Sequence, residues 1–268
     1  MEKILYFECF SGISGDMSVA AMLDLGADCK ALKKALDSLG DRGFQVKISR
    51  IKKSGLDVCD FLVELENEYQ NMDHDMEYLH GHEHIHTHQG EHAHNHHHVG
   101  IKEINELLDK VDMTENARKL SKKIFDILAV AESKAHGISK EEVHFHEVGA
   151  IDSIVDIVAF SVCFDSLNIK EVCVPVLYEG RGSIRCQHGI IPVPVPAVLN
   201  ISQREGLKLH ITDVEGELVT PTGAAIIAAI KTRDKLPEKF LVKKAGLGAG
   251  KRKYEVPGIL RAMIIEEK

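Results

Sequence analysis

The sequence predicts an α/β protein, a mixed sheet with packed helices, interrupted by a disordered histidine-rich loop. Three observations predict it. Strand-like and helix-like stretches alternate along most of the chain. The first strand, Ile4 to Phe10, is apolar on both faces apart from Glu8, as a strand buried on both sides is. Between residues 67 and 98 the apolar pattern stops and polar residues take over. We therefore expect one α/β domain made of residues 1–66 and 99–268, with a flexible metal-binding loop at 67–98.

The chain has 268 residues, 44% of them apolar and 28% charged, which is the balance of a soluble globular protein able to bury a sizeable core. Its formal net charge of −8 argues against nucleic acid as the main partner. No apolar run approaches the roughly 20 residues of a membrane span. Met1 to Ile4 leads directly into a strand with no signal-peptide pattern. The six cysteines are scattered, with no CxxC pair, and suit reduced thiols. A cytoplasmic location is expected.

Taken in order, Ile4–Phe10 is followed by the turn Ser11-Gly12-Ile13-Ser14-Gly15-Asp16 and a short helix, Met17 to Leu25, stopped by Gly26. A glycine-rich turn between a buried strand and a helix can present N–H groups to an anion. It can equally be a tight turn whose helix is capped by Ser14 or Asp16. No Gly-Lys-Ser/Thr follows, so it is not the ATP-type loop, and Asp16 would repel a phosphate unless a cation or a basic side chain stood between them. A second helix spans Cys29 to Leu39. Phe44 to Ile51 and Val58 to Leu65 read as strands joined through Ser54-Gly55-Leu56-Asp57.

Eleven histidines lie between His74 and His98: His74, His80, His82, His84, His86, His88, His92, His94, His96, His97 and His98. Too little apolar surface accompanies them to offset the entropy of ordering the backbone. A flexible string of neutral imidazoles binds nickel, zinc, copper or cobalt at overlapping sites, and so captures or buffers metal.

Helical periodicity returns at Gly100–Lys110 and Thr114–His136. In the second of these Ala117, Leu120, Ile124, Ile127, Leu128 and Ala131 form the buried stripe. Then comes the stretch most able to carry chemistry. Val143 to Glu147 reads as extended, so His144 and His146 share a face. Gly149 breaks the chain, and a helix begins near Ile151 whose Asp152 and Asp156, four apart, lie one above the other. Two imidazoles with Glu147, Asp152 and Asp156 can surround a divalent cation. The same residues also suit an ordinary surface pair and a helix start favoured by acidic side chains.

Glu171–Leu177 is expected as a strand. Tyr178 to Pro196, with Gly180, Arg181, Gly182, Arg185 and His188, is expected as a turn-rich loop over a ligand carrying negative groups, or as a solvated hairpin. Leu207–Ile211 reads as a strand. Thr220 and Pro221 open the helix Ala224–Ile230, where Thr222 and Gly223 leave room for a ligand or for backbone to come close, and Glu217 is available to a metal or as a base. Phe240–Val242 and Ile259–Ile265 are strands flanking Gly246 to Arg252. No helix follows those glycines, so they are not a dinucleotide fingerprint.

Several of these pieces match one family. Phe10 to Met17, His144 to Ile157, Ile191-Pro192-Val193-Pro194, Gly216 to Ala225 and Gly246–Gly250 with Leu260-Arg261 occur in one order, together with the histidine-rich loop. In this the chain resembles the LarC family from its first strand to its last residue. The resemblance implies insertion of Ni²⁺ into pyridinium-3,5-bisthiocarboxylic acid mononucleotide, a lyase-type nickel chelation dependent on CTP. Two nickel–sulfur bonds and one nickel–carbon bond form, giving the nickel-pincer nucleotide of lactate racemase and related enzymes. It also implies a further C-terminal domain that binds CTP and a divalent cation. The chain stops at Lys268 without one, so that part is expected as a separate chain, or this sequence is a fragment. A lactate racemase-type apoenzyme is the implied recipient, and a homo-oligomer is compatible with the family.

Given that resemblance, His144, His146 and Glu147 are the candidates for holding nickel or taking the ring proton. Asp152 and Asp156 are candidate ligands, or orient them. Ser11, Gly12, Ser14, Gly15, Thr222 and Gly223 are candidates for the mononucleotide. The alternative is a nickel chaperone or storage module without catalysis of its own. A third reading, a metal-dependent hydrolase on the same cluster, lacks any nucleophile motif.

Overall fold

The computed structural model describes residues 3–40, 43–65, 100–143, 151–186 and 189–268. His144, His146 and Glu147 and the whole histidine-rich segment, including His82, His84, His86, His88, His92, His94, His96, His97 and His98, lie outside the described residues.

Strand β1 (Ile4–Glu8) runs through a six-stranded mixed sheet with β2 (Phe44–Lys53), β3 (Leu56–Leu65), β4 (Glu171–Cys173), β9 (Phe240–Ala249) and β10 (Ile259–Glu267). The spatial order is β2-β3-β9-β10-β1-β4. β1 is antiparallel to β10 and parallel to β4, so it sits inside the sheet as its apolar composition requires. Its alternate residues part company: Leu5 and Phe7 enter the main core, while Ile4 joins Cys173, Met263 and Ile265 on the other face. Two small ribbons complete the strands: β5 (Leu177–Arg181) with β8 (Leu209–Glu215), and β6 (Ser183–Cys186) with β7 (Gly189–Pro192).

Helices α1 (Gly15–Asp24), α2 (Cys29–Asp37), α3 (Ile101–Leu108), α4 (Glu115–His136), α5 (Ile151–Ser166), α6 (Pro196–Glu205) and α7 (Pro221–Ile230) supply the rest of the core. α1 lies on β9, β3 and β10 and against α5, and α4 packs on α5, α6 and α7. Capping follows the sequence: Asp28 accepts from the N–H groups of Lys30 and Ala31, Thr114 from Ala117, and Thr220 from Gly223. α4 ends at Gly137 in the left-handed conformation, at φ 66°. Among the described residues no helix is long and apolar enough to cross a membrane. All six cysteines are free thiols.

Two expectations change. The stretch from Glu171 is not one strand but two, β4 and β5, separated by Val174-Pro175-Val176. The region after Tyr178 is not a turn-rich loop throughout but carries regular structure, including the hairpin expected as its alternative. It is the end of β5, the β6–β7 hairpin and then α6, which starts on Pro196 because that proline's missing N–H is harmless in a helix's first turn. Arg181 there pairs with Asp213 and Glu215 of β8. Gly246 and Gly248 fall inside β9, where any side chain would overlap the backbone of α1 at Ala21 and Met17. They are seats for a helix.

Candidate functional site

The turn after β1 is held from below. Gly12 donates to the Cys9 carbonyl at 3.0 Å and has φ +80°, and a Cβ on it would overlap the carbonyl of Leu218. Ile13 then pairs with the segment before α7: its N–H donates to Leu218 O at 2.9 Å, and its carbonyl accepts from Thr220 N at 3.0 Å. Gly223, in the first turn of α7, is pressed on the Ile13 carbonyl. Ser11 and Thr222 are both buried. Glycine is therefore used at these positions for backbone approach.

Ser14 is the extended residue before α1, but its hydroxyl does not cap the helix; it donates to the Asp16 carboxylate. The acidic partner of the helix start comes from α5 instead. Asp156 packs its carboxylate on Gly15 and accepts from the backbone N–H of Asp16. A carboxylate at the positive end of a helix is favourable, and here it takes a place an external anion could use. Asp152 stands one turn earlier on α5 and feels Asp16 and Asp156 electrostatically.

The structure thus brings the two predicted aspartates together with a third, Asp16. Asp16 is 4% exposed. Asp16 Oδ2, Asp152 Oδ1 and Asp156 Oδ1 are all shut off from solvent without a hydrogen-bond partner. Burial, and next the charge of Asp16, holds Asp156 well above the usual carboxylate range; burial raises Asp152 too. Lys251 opposes both shifts. Among the described residues, no three His, Cys, Asp or Glu side chains already stand as a set that could hold a metal ion.

Lys251 belongs to the connection between β9 and β10, which is gripped from β2. Lys53 Nζ donates to the carbonyls of Gly250 and, at 3.4 Å, Arg252, while Gly250 N–H reaches Gly258 O at 2.9 Å. The next residue, Arg252, forms an ion pair with the buried Glu217. Beside it Glu179, at 0% exposure, accepts through Oε1 from Gly180 N (2.8 Å), Leu218 N (2.7 Å) and Val219 N (3.1 Å). Burial, and then the charge of Glu217, pushes the Glu179 carboxyl up to about 7 against those three donors. Sequence reasoning missed Glu179, Lys53 and Lys251 as parts of this region. Only the interruption of an apolar strand by one acid hinted at Glu179.

A family model described as nickel insertion protein matches residues 5–268. Among the chain's relatives are proteins named pyridinium-3,5-bisthiocarboxylic acid mononucleotide nickel insertion protein. That of Alkaliphilus metalliredigens is 54% identical over 271 residues, covering 100% of this chain and 61% of the relative. That of Clostridium acetobutylicum is 41% identical over 273 residues, covering 99% and 64%. That of Acetivibrio thermocellus is 38% identical over 262 residues, covering 98% and 60%. The chain thus spans roughly three fifths of the length of these relatives. No solved structure matches it. With the family model running from the first strand to the last residue, the chain belongs to the nickel insertion protein family.

Proposed function

We propose that this chain inserts Ni²⁺ into pyridinium-3,5-bisthiocarboxylic acid mononucleotide, completed by a CTP-binding partner chain and serving a lactate racemase-type apoenzyme. The names of its relatives support the substrate. The observation that carries a metal-handling role for this part is the trio of solvent-excluded carboxylate oxygens on Asp16, Asp152 and Asp156 that lack partners.

Nickel is cargo in this reading. The histidines of 67–98 collect it. His144 and His146 take it over, with Asp152 and Asp156 as ligands or orienting groups. Both thiocarboxylate sulfurs bind the ion, the ring C–H bond breaks, the nickel–carbon bond forms, and the released proton passes to a base for which His144, His146 and Glu147 are the candidates. The mononucleotide lies towards Ser11–Gly15 and the start of α7 at Thr222 and Gly223.

The test is nickel incorporation into the mononucleotide with the partner chain and CTP present. His144→Ala with His146→Ala abolishes incorporation, and deleting 71–98 slows it only at low nickel. Full incorporation by the double variant overturns the reading. Loss with the loop deletion alone, at any nickel concentration, turns it into a delivery module.

A further inference from the structure

We propose that Asp16, Asp152 and Asp156 hold a hydrated, oxygen-preferring divalent cation of the magnesium or manganese type, through which an organic phosphate docks at the start of α1. The identity of that phosphate, a pyridinium mononucleotide, rests on the function proposed above, with Asp152 and Asp156 there as orienting groups and not as nickel ligands; the cation site does not.

Asp16 from the first turn of α1 and Asp152 and Asp156 from the first two turns of α5 come together where α5 abuts Gly15. Each keeps one oxygen without solvent or partner, and Asp16 is 4% exposed. The nearest cations are committed elsewhere or stand off. Lys53 gives its hydrogens to Gly250 O and Arg252 O, and no lysine among the described residues hydrogen-bonds to these oxygens. Three carboxylates that each keep one buried, unpartnered oxygen draw more positive charge than Lys251 and the more distant pull of Lys53 supply.

The donor set selects the ion. Oxygen alone suits hard cations, whereas nickel favours imidazole, which the sequence supplies elsewhere. Among the described residues no three His, Cys, Asp or Glu side chains stand as a metal-holding set, and a magnesium-type ion does not need three. It keeps several waters and uses one or two carboxylates together with a substrate phosphate. The ion also resolves the sign of the turn. The start of α1 would ordinarily attract phosphate, but Asp156 already accepts from the N–H of Asp16, and three acids repel a further anion. A divalent ion between them reverses that repulsion.

The test is Mn²⁺ titration of the full chain followed by electron paramagnetic resonance, with Mg²⁺ as competitor. We expect one Mn²⁺ component that Mg²⁺ displaces and that Asp16→Asn or Asp156→Asn weakens by about tenfold or more. Mn²⁺ on histidines survives both substitutions, so only the component they remove counts. Both variants fold and have a higher Tm than the wild type without cation. Mg²⁺ raises the wild-type Tm and leaves theirs unchanged. Nicotinic acid mononucleotide, a stable pyridinium mononucleotide, tightens Mn²⁺ on the wild type about tenfold, and its ring analogue lacking phosphate does not. Mn²⁺ binding that is absent, or identical in wild type and variants, overturns the site. Mn²⁺ binding indifferent to the mononucleotide overturns the phosphate half. Nickel incorporation is read separately, on the wild-type chain in the complete system, so failure here is distinguishable from failure of the insertion reading.

Discussion

Glu179 and Asp16 are both buried acids that govern the same turn, yet they are treated in opposite ways. Glu179 gives Oε1 to three backbone N–H groups, and its neighbour Glu217 is neutralised by Arg252. Asp16, with Asp152 and Asp156, keeps oxygens that nothing satisfies. A carboxylate answered by backbone donors fixes geometry, because its partners cannot leave. A set of carboxylates left unanswered costs stability and persists only where something else gains from it. The two groups therefore separate scaffold from site within one region.

Substitutions should break the comparison with opposite signs. Glu179→Ala strands three buried N–H groups at once and should destabilise the fold by about 3–5 kcal/mol, read by urea denaturation. Asp156→Asn keeps an acceptor for the Asp16 N–H, removes the repulsion with Asp16 and Asp152, and moves the midpoint the other way. Equal losses for the two would mean the aspartates are as structural as Glu179.

Titration sharpens the same contrast. The Glu179 carboxyl is raised from 4.5 to about 7 in the folded protein. A folded value above the unfolded one means that the native state binds more protons in between. Its stabilising contribution is complete below about pH 4.5 and falls away as pH rises through 7, by about 3 kcal/mol in all. Denaturation midpoints across pH 4 to 8 should show that decline, and Glu179→Gln should flatten it. A profile unchanged by Glu179→Gln would assign the decline to the aspartates, whose shifts have the same direction.

The smallest effect belongs to the connection between the two groups. Lys53→Met keeps the aliphatic stem and loses the hydrogen bonds to Gly250 O and Arg252 O. We expect about 1 kcal/mol of destabilisation, together with faster amide exchange confined to 250–258. Unchanged exchange there would show that the connection holds itself.

Much of the architecture was legible because it is local. The stripe of α4, the caps Thr114 and Thr220, and the start of α5 at Ile151 each follow from spacing and one or two flanking residues. The four-residue interval of Asp152 and Asp156 correctly placed them on one helix. Their meeting with Asp16 was not legible, since it depends on how α5 crosses α1. Glu179 was hidden for the same reason: two of its three donors, Leu218 and Val219, lie about forty residues away and are backbone groups that leave no mark in composition. α6 was missed because Pro192 to Pro196 resembles an extended run, and only the last of those prolines begins a helix.

The seating of α1 has a consequence for how the protein can change. On the β9 side it touches backbone through Gly246 and Gly248, and on the α5 side Gly15 meets Asp156 directly. At the two β9 contacts strand backbone meets helix backbone, and at Gly15 a single carboxylate does, so there is little to repack when the core is altered. Slack from a substitution elsewhere must be absorbed by other helices, and the acids at the head of α1 keep their position. A deep mutational scan should find these three glycines intolerant even of alanine, while the apolar stripe of α4 accepts volume-conserving swaps. α1 is thus the datum from which the rest of the molecule can drift.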